Sequence, residues 1–360
     1  MTRSVPQLLS RTRKGVGRVV ATAADVCHVA TECRVAERYL DIAERLSHPA
    51  APVRMAALHV LDRLGRNHPE HRQAIADIWC AYLRQHFTPP ARYLSTVGPQ
   101  DLWSVDPAES ECQVRTTAQR LLAARLRLPG GRTDPLNLPP GATDQYWRLD
   151  RLDLTGATLV EADFNRCLLP VSAFDNAVFY GWSNFYACGW SGRASFDGAR
   201  FRDRVDFVTA TFHADSSFVD TRFAADADFR DGRFDGAASW ADAVLHGYAV
   251  FDSARFVRPV VFDRARFLGR ASFLRTRFEN EVEFSGTVFE GAADFTDLPA
   301  PVGTELNLVG ATADLLGTGP NAHHWPPGWT LIPADDLPPG RGRVVPDTAA
   351  DPRTPPMPRT

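Results

Sequence analysis

A five-residue rhythm of large apolar side chains fills the second half of this chain and constrains its fold more than any other feature. From Leu149 to Phe179 every fifth residue is Leu or Phe. The steps then alternate between six and five residues as far as Phe295, which gives 28 centres without a miss. Neither the 3.6-residue period of a helix nor the two-residue period of a strand produces this pattern. The rhythm predicts a repeat architecture built from very short units.

A small side chain accompanies each of these centres. Two residues before the centre the side chain is Ala at 14 of the 28 positions, and only Trp147 and Leu152 are bulky there. If each repeat forms one side of a square coil, the centre and the small residue both point inward. Four repeats then make one coil, and the array makes about seven coils with a height of about 34 Å at the usual spacing of parallel strands.

The six-residue steps keep the coils in register, because each one leads into the second or the fourth side of the square. Rings on the same side should therefore stack from coil to coil. One such column is Phe174, Phe196, Phe218, Trp240, Phe262 and Phe284. Each buried ring contributes on the order of 1.5 to 3 kcal/mol, and stability accumulates coil by coil.

The repeats resemble those of the pentapeptide-repeat family. The family pattern is a small residue, a polar residue, Leu or Phe and two variable residues, and residues 157–161 and 162–166 match it directly. The resemblance implies a right-handed quadrilateral parallel β-helix over residues 149–295. We take the centres of this helix as its structural residues: Phe164, Phe185, Phe196, Phe207, Phe218, Phe229, Trp240, Phe251, Phe262, Phe273, Phe284 and Phe295.

The first half of the chain has helical periodicity instead. Apolar residues at helical spacing predict amphipathic helices over residues 35–46, 53–64 and 75–83. A fourth helix should begin after Asp106, with Pro107 in its first turn and Glu109 closing a capping box, and run to about Arg127. The motifs of residues 53–57 and 78–84 are similar to the domain that precedes the repeats in a group of actinobacterial pentapeptide-repeat proteins, which implies HEAT-like paired helices.

These patterns divide the chain into six parts. The predicted parts are a flexible leader (1–20), an α-helical domain (21–128), a linker with an N-terminal cap (129–148), the β-helix (149–295), a C-terminal cap (296–332) and a disordered tail (333–360). The fold class is therefore an α-helical domain followed by a β-solenoid. The tail is assigned by its eight prolines in 28 residues and its low apolar content.

Charge and apolar content exclude several functions. The helical part carries 20 basic against 14 acidic side chains and the repeats carry 16 against 22, so neither part concentrates the Lys and Arg that nucleic-acid phosphates require. The most apolar stretch near the start, residues 16–30, contains Arg18 and Asp25 and is shorter than a membrane span. We expect no membrane span and a cytoplasmic location in a bacterium.

No catalytic, cofactor or metal site is predicted. Phosphate-binding glycine loops, zinc-protease motifs and nucleophile elbows are all missing from the sequence. Adjacent His323 and His324 should point in opposite directions, which favours a structural role over metal binding. Aspartates directly before a ring are expected to point outward into solvent: Asp163, Asp206, Asp228 and Asp294.

Two cysteines fall on the same side of adjacent coils. Cys167 and Cys188 both occupy the small position, and coil spacing brings their backbones within reach of a disulfide. The six cysteines lack metal-binding spacing, which is typical of reduced thiols in a cytosol. Two free thiols that fill space are therefore favoured, with the disulfide as the alternative.

Three functional hypotheses follow from these features. The first is a non-catalytic scaffold that binds protein partners through the helical domain and one solenoid face. The second, by resemblance to gyrase-protecting pentapeptide-repeat proteins, is a DNA mimic that binds a type II topoisomerase, which requires a strongly acidic face. The third is an enzyme with a pocket where helices meet coils. The identity of the partner, the binding face and the oligomeric state stay open.

Overall fold

A computed structural model describes residues 41–42, 44–94, 107–128, 145–299, 306–315 and 322–347. Residues 45–360 form one compact unit, which includes the described helices and all described strands. Of the other unit, residues 1–44, only residues 41–42 and 44 are described. The predicted flexible leader and most of the first predicted helix therefore lie outside the described residues.

Three α-helices lie entirely within the described part of the helical region, and residues 41–42 and 44–46 are also helical. Helix α1 spans Ala51–Asn67, α2 spans Arg72–Arg84 and α3 spans Pro107–Leu126. Single 3-10 turns lie at Pro69–His71 and Ala91–Tyr93. Proline in the first turn starts α1 and α3, as expected for a residue that lacks a backbone donor. The helix predictions for these segments are confirmed, whereas the capping box is not tested because Asp106 lies outside the described residues.

Two arginine side chains of α3 make buried polar contacts with the other helices. Arg125 of α3 donates to both carboxylate oxygens of Asp62 in α1, at 2.6 and 3.1 Å, and Asp62 is only 4% exposed. Arg115 is 2% exposed and donates to the carbonyls of Leu83 and Gln85, which satisfies the C-terminal end of α2. Burial of a guanidinium requires such partners, because an unpaired buried charge is strongly unfavourable.

The repeats form a solenoid of about seven coils with four parallel sheets along its length. The chain visits the sheets in the same order in every coil, and each strand pairs in register with its equivalents in the neighbouring coils. The predicted parallel β-solenoid is confirmed. Its right-handed twist and quadrilateral outline stay predictions.

The strands are short, most of them two residues long. The first sheet contains Arg151–Asp153, Val171–Ala173, Ala194–Ser195, Ser216–Ser217, Ala238–Ser239, Val260–Val261, Val282–Glu283 and Leu306–Asn307. The second contains Thr158–Val160, Val178–Tyr180, Arg200–Phe201, Arg222–Phe223, Val244–Leu245, Arg266–Phe267, Val288–Phe289, Thr312–Asp314, Arg341–Pro346 and Trp329–Pro333. The third contains Ser183–Asn184, Val205–Asp206, Ala227–Asp228, Ala249–Val250, Ala271–Ser272 and Ala293–Asp294. The fourth contains Leu168–Leu169, Gly189–Trp190, Thr211–Phe212, Arg233–Phe234, Arg255–Phe256 and Arg277–Phe278.

The aromatic rings of the repeats fill the solenoid interior. All 28 centres are buried except Phe278, which is partly exposed. Rings of one sheet stack in parallel, as in the 5.0 Å contact between Phe196 and Phe218, and rings of the first and third sheets meet edge to face, as Phe196 and Phe207 do at 86°. Both geometries are favourable for aromatic pairs. The column predicted from Phe174 to Phe284 is stacked throughout.

The helical region covers the first coil. The Gln119 side chain of α3 is buried and exchanges two hydrogen bonds with the backbone of Val160, at 2.8 and 3.1 Å, as another strand would. Trp79 of α2 stacks on the fully buried Trp147, with ring centroids 5.4 Å apart. An open coil edge is prone to pair with other chains, so this contact protects it.

The last coil is closed by segments that were predicted to be a C-terminal cap (296–332) and a disordered tail (333–360). The repeat rhythm continues beyond Phe295 with Leu308 and Ala313, both buried on the first and second sheets. Leu308 lies thirteen positions after Phe295, so this long step does not fit the five- and six-residue spacing of the other centres.

The predicted disordered tail is wrong over residues 333–346. Trp329–Pro333 and Arg341–Pro346 form an antiparallel hairpin that pairs with the last strand of the second sheet. Val344 is buried and its backbone N–H donates to the carbonyl of Ala311, so the segment is ordered although few of its residues are apolar.

Within the described residues, the helices include none that is both long and apolar enough to span a membrane.

Candidate binding surface

Tight turns follow the strands of the first and third sheets. The carbonyl of the centre accepts a hydrogen bond from the residue three positions on in the coils from Leu154 to Phe284, as in the 3.0 Å bond from Ala177 to Phe174. The residue two positions after the centre has a positive φ, for example Asn176 at 57° and Asp220 at 51°. This combination defines a type II turn, and Gly, Asn and Asp adopt it at the lowest steric cost.

The residue before the centre caps several of these turns. In the third sheet the carboxylate of Asp206 accepts from the backbone of Val208 at 2.8 Å, and Asp294 does the same for Thr296 at 3.1 Å. The amide or hydroxyl oxygens of Asn184, Ser239 and Asn307 make equivalent bonds in other coils. Side chains of Asp, Asn and Ser satisfy nearby backbone donors in this way in many turns.

The residue before the centre differs in charge between the sheets that are followed by these turns and the sheets that are not. On the first and third sheets the residue before the centre is never basic: Asp153, Ala173, Ser195, Ser217, Ser239, Val261, Glu283 and Asn307, and Asp163, Asn184, Asp206, Asp228, Val250, Ser272 and Asp294. On the second and fourth sheets the same position includes six arginines: Arg200, Arg222, Arg266, Arg233, Arg255 and Arg277. The sheets therefore present different surfaces although all are built from one repeat.

Three exposed aromatic side chains lie on the third sheet. Trp182 is 53% exposed, Tyr186 is 39% exposed and Tyr248 is 57% exposed. They occupy positions three before or one after the centre, where the repeat requires no ring. We call the outward surface of the third sheet that carries these three residues the aromatic face. The sequence signal that could have identified them was the presence of rings outside the register of the centres.

A groove of about 410 Å³ crosses the aromatic face beside Tyr248. Its walls contain both charges: Arg204, Asp226, Asp228, Arg230, Tyr248, Val250, Asp252, Arg270, Ser272, Leu274 and Asp294. Arg230 and Arg204 approach the Asp228 carboxylate at 2.6 and 3.9 Å, and Arg270 approaches Asp294 at 2.7 Å. The groove thus combines paired charges with apolar surface.

The aspartates of this sheet are less exposed than the sequence predicts. Asp228 is 5% and Asp294 is 8% exposed, because arginine side chains lie over them, so the prediction of solvated aspartates is wrong at these two positions. Burial and the neighbouring Asp228 raise the pKa of Asp206. Burial opposes ionisation of Asp294, but hydrogen bonds from Thr296 and Arg270 outweigh it and lower the pKa of this carboxyl.

The predicted structural centres lie in the solenoid interior and away from any surface. Each of the twelve residues from Phe164 to Phe295 named above is at most 2% exposed. They hold the coils together and are inaccessible to a partner. Among the described residues no three His, Cys, Asp or Glu side chains group so as to hold a metal ion.

His323 and His324 contact the backbone of the last coils. The Nδ1 of His323 accepts from the backbone of Ala293 at 3.1 Å, and its Nε2 donates to the carbonyl of Asp314 at 2.8 Å. Burial lowers the pKa of His323, which keeps the ring neutral with its proton on Nε2. The backbone of His324 continues the third sheet beside Asp294.

The two stacked cysteines are free and fully buried. The thiol of Cys188 donates to the carbonyl of Phe164 at 2.6 Å, and that of Cys167 to Ala123 at 3.4 Å. Burial raises the pKa of both thiols. They fill the small position of the repeat, which agrees with the favoured prediction.

The coils and their surfaces define a parallel β-solenoid repeat protein. The family model for pentapeptide repeats (9 copies) matches residues 241–288 and 251–298. This match and the parallel β-solenoid together support a pentapeptide-repeat protein. No curated protein and no solved structure matches it.

Proposed function

We propose that the chain is a non-catalytic scaffold that binds a protein partner through the aromatic face. The observation that carries the proposal is the exposure of Trp182, Tyr186 and Tyr248 on one sheet, while all repeat centres except Phe278 are buried. Trp, Tyr and Arg are the residues that contribute most binding energy at protein interfaces. Solenoids commonly use such extended surfaces for binding.

The groove beside Tyr248 supports the same proposal. Asp228 and Asp294 already have arginine partners, so a protein that covers the groove need not leave these carboxylates uncompensated. The ladder of backbone hydrogen bonds beneath holds the face in place, which limits the entropy lost on binding. We further propose a cytoplasmic location, which subcellular fractionation of the native host tests.

The test compares partners of three matched variants. Full-length protein, Trp182→Ala and Tyr248→Ala are used to capture proteins from the native host, with Val309→Ala as the control. Val309 is 57% exposed and lies just after the last strand of the first sheet. We expect at least one protein that the wild type and Val309→Ala retain equally and that both aromatic variants lose. If every captured protein is retained equally by all four, the aromatic face is not the binding surface.

The DNA mimic is a second candidate, and one observation favours it. Several carboxylates on the first sheet have no ion-pair partner within the described part of the chain: Asp175, Asp197, Asp215, Asp263, Glu281 and Glu283. An uncompensated acidic face is what a mimic of the phosphate backbone requires. Inhibition of gyrase supercoiling by micromolar protein, lost when these residues are changed to Asn or Gln, is the expected result. Unchanged supercoiling would remove this candidate.

A further inference from the structure

The second sheet carries a group of arginines on its outward surface. Arg200 and Arg222 are directly paired in register on adjacent coils, and both are exposed. Arg202 lies two residues after Arg200, so it projects from the same side of the chain. Like charges at directly opposed positions of a sheet are destabilising. Such a cluster is therefore stabilised by a counter-charge.

A notch opens between these side chains. Ala224 follows Phe223 at the end of its strand, with Arg202 in the equivalent position of the preceding coil and His246 in the following one. The small Ala224 side chain leaves a cavity of about 220 Å³. Its lining is entirely basic or apolar: Arg200, Phe201, Arg202, Arg222, Ala224 and His246.

The nearest carboxylates in sequence leave this cluster largely uncompensated. Asp203 accepts a backbone hydrogen bond from Gly181 at 2.8 Å. Asp220 reaches Arg222 only at 3.4 Å, with both side chains more than half exposed, so solvent screens the pair. Within the described chain the guanidinium groups of Arg200 and Arg202 have neither an ion pair nor a hydrogen bond.

Other arginines at the same repeat position differ from this cluster. Arg233 is paired with Asp235 at 2.7 Å, Arg255 with Glu279 at 2.7 Å and Arg266 with Glu290 at 2.9 Å. Three of the six arginines that precede a centre on the second and fourth sheets thus have a carboxylate within 2.9 Å. In the notch around Ala224, Arg200 and Arg202 have none among the described residues, and Arg222 has only the 3.4 Å contact with Asp220.

We propose that this notch binds a small phosphate-bearing anion, with the guanidinium groups of Arg200, Arg202 and Arg222 as donors. Planar guanidinium groups match the oxygen geometry of phosphate and form paired hydrogen bonds with it. The cavity is smaller than the roughly 300 Å³ at which pockets begin to bury drug-sized ligands. Its size favours an inorganic phosphate or pyrophosphate group over a whole nucleotide.

Calorimetric titration of the full-length protein with pyrophosphate tests the proposal. Ionic strength is held constant with sodium chloride, because non-specific attraction to arginines depends on salt. We expect saturable binding with one site. Arg200→Gln and Arg222→Gln should each weaken binding by about tenfold or more, since a hydrogen bond to a charged group is lost.

Two further variants separate the notch from general charge effects. Arg277→Gln removes one charge at the same repeat position on the fourth sheet and should leave the affinity unchanged. Ala224→Leu fills the notch without changing charge and should abolish binding. The proposal is overturned by the absence of saturable heat, by equal affinities of Arg222→Gln and Arg277→Gln, or by equally tight binding of citrate in place of pyrophosphate.

Discussion

In the helical region the buried charged side chains each have an individual partner, whereas in the solenoid the same few contacts recur from coil to coil. Asp62 with Arg125 and Arg115 with the end of α2 occur once each. The ring stacks of the solenoid occur along every sheet, and the turn after Phe174 is repeated after Phe196 and Phe218. Stability in the helical region is therefore concentrated in a few residues, and in the solenoid it is distributed over neighbouring coils.

The junction between the helical region and the first coil combines individual side-chain partners with the backbone pairing of the solenoid. Gln119 of α3 takes the place of a neighbouring strand for Val160, and Arg127 bonds to the backbone of Asp163 and Asn165. A helix thus satisfies coil backbone groups that the next coil satisfies elsewhere. The comparison predicts that damage inside the solenoid depends on burial and repeat position, and that damage in the helical region depends on single partners.

The largest effect is expected when a ring in the middle of the solenoid is removed. Phe229 is fully buried and stacks on Phe207 and Phe251, each at 4.9 Å. Phe229→Ala should lower the free energy of unfolding by about 3 to 5 kcal/mol, as measured by urea denaturation. Phe278→Ala is the matched control and should cost less, because this ring is already partly exposed. Equal losses would show that ring burial does not set the cost.

The next largest effect concerns the ion pair between α1 and α3. Asp62→Asn leaves the guanidinium of Arg125, whose side chain is 15% exposed, without its counter-charge. We expect a loss of about 3 kcal/mol in the free energy of unfolding. Asp242→Asn breaks an exposed pair with Arg264 on the solenoid and should cost about 0.5 kcal/mol or less. A small loss for Asp62→Asn would contradict the view that single contacts stabilise the helical region.

A smaller effect is expected at the corner after the second sheet. A Cβ atom on Gly269 would lie 2.3 Å from the carbonyl oxygen of Gly247 in the preceding coil. Gly269→Ala should therefore force the coils apart and cost about 2 kcal/mol, measured as a fall in denaturation midpoint. Gly286→Asp provides the control, because Asp already holds the equivalent turn position at Asp220 and Asp242. That change should cost about 1 kcal/mol or less.

The smallest effect is a pH dependence at the C-terminal end of the solenoid. The pKa of His323 is lowered below its usual value of 6.5 by burial, so the unfolded state binds more protons than the folded state just below that pH. The stabilising contribution is present above pH 6.5 and is lost as the pH falls through the folded pKa. Protonated Nδ1 can no longer accept from Ala293.

Hydrogen exchange measures this change locally. After correction for intrinsic rates, amides of residues 290–297 should lose protection as the pH is lowered from 7 to 5. Glutamine can accept from Ala293 and donate to Asp314 without titrating, so His323→Gln should remove the pH dependence while the end stays closed. Identical pH profiles of the wild type and this variant would rule out His323 as the cause.

The interior of the solenoid was predictable to the level of single contacts. A strict spacing of rings determines which side chains point inward and which rings lie above one another, so the column from Phe174 to Phe284 follows from counting. Helices α1 and α2 were predictable for a similar reason, since their apolar periodicity determines one buried face, whereas α3 was predicted from Pro107 and Glu109 at its start.

The surface was much less predictable. The outward side chain of Asp228 is buried by Arg230 and Arg204, and such coverage depends on contacts between neighbouring coils as well as on repeat position. The hairpin of residues 329–346 is stabilised by backbone pairing with the last strand, which leaves little trace in composition. Trp182 and Tyr248 could have been recognised, because they are rings in positions where the repeat needs none.

The capped turns have a consequence for protein design. After the first and third sheets, an oxygen-bearing side chain such as Asp206 or Asn184 is tied to a backbone donor, and replacing it by arginine would leave that donor without its partner. After the second and fourth sheets no such bond constrains the residue, and Thr211, Arg233 and Arg255 succeed one another in register. The residue before the centre is therefore less constrained on the second and fourth sheets than on the first and third, where it also satisfies a backbone donor in several coils.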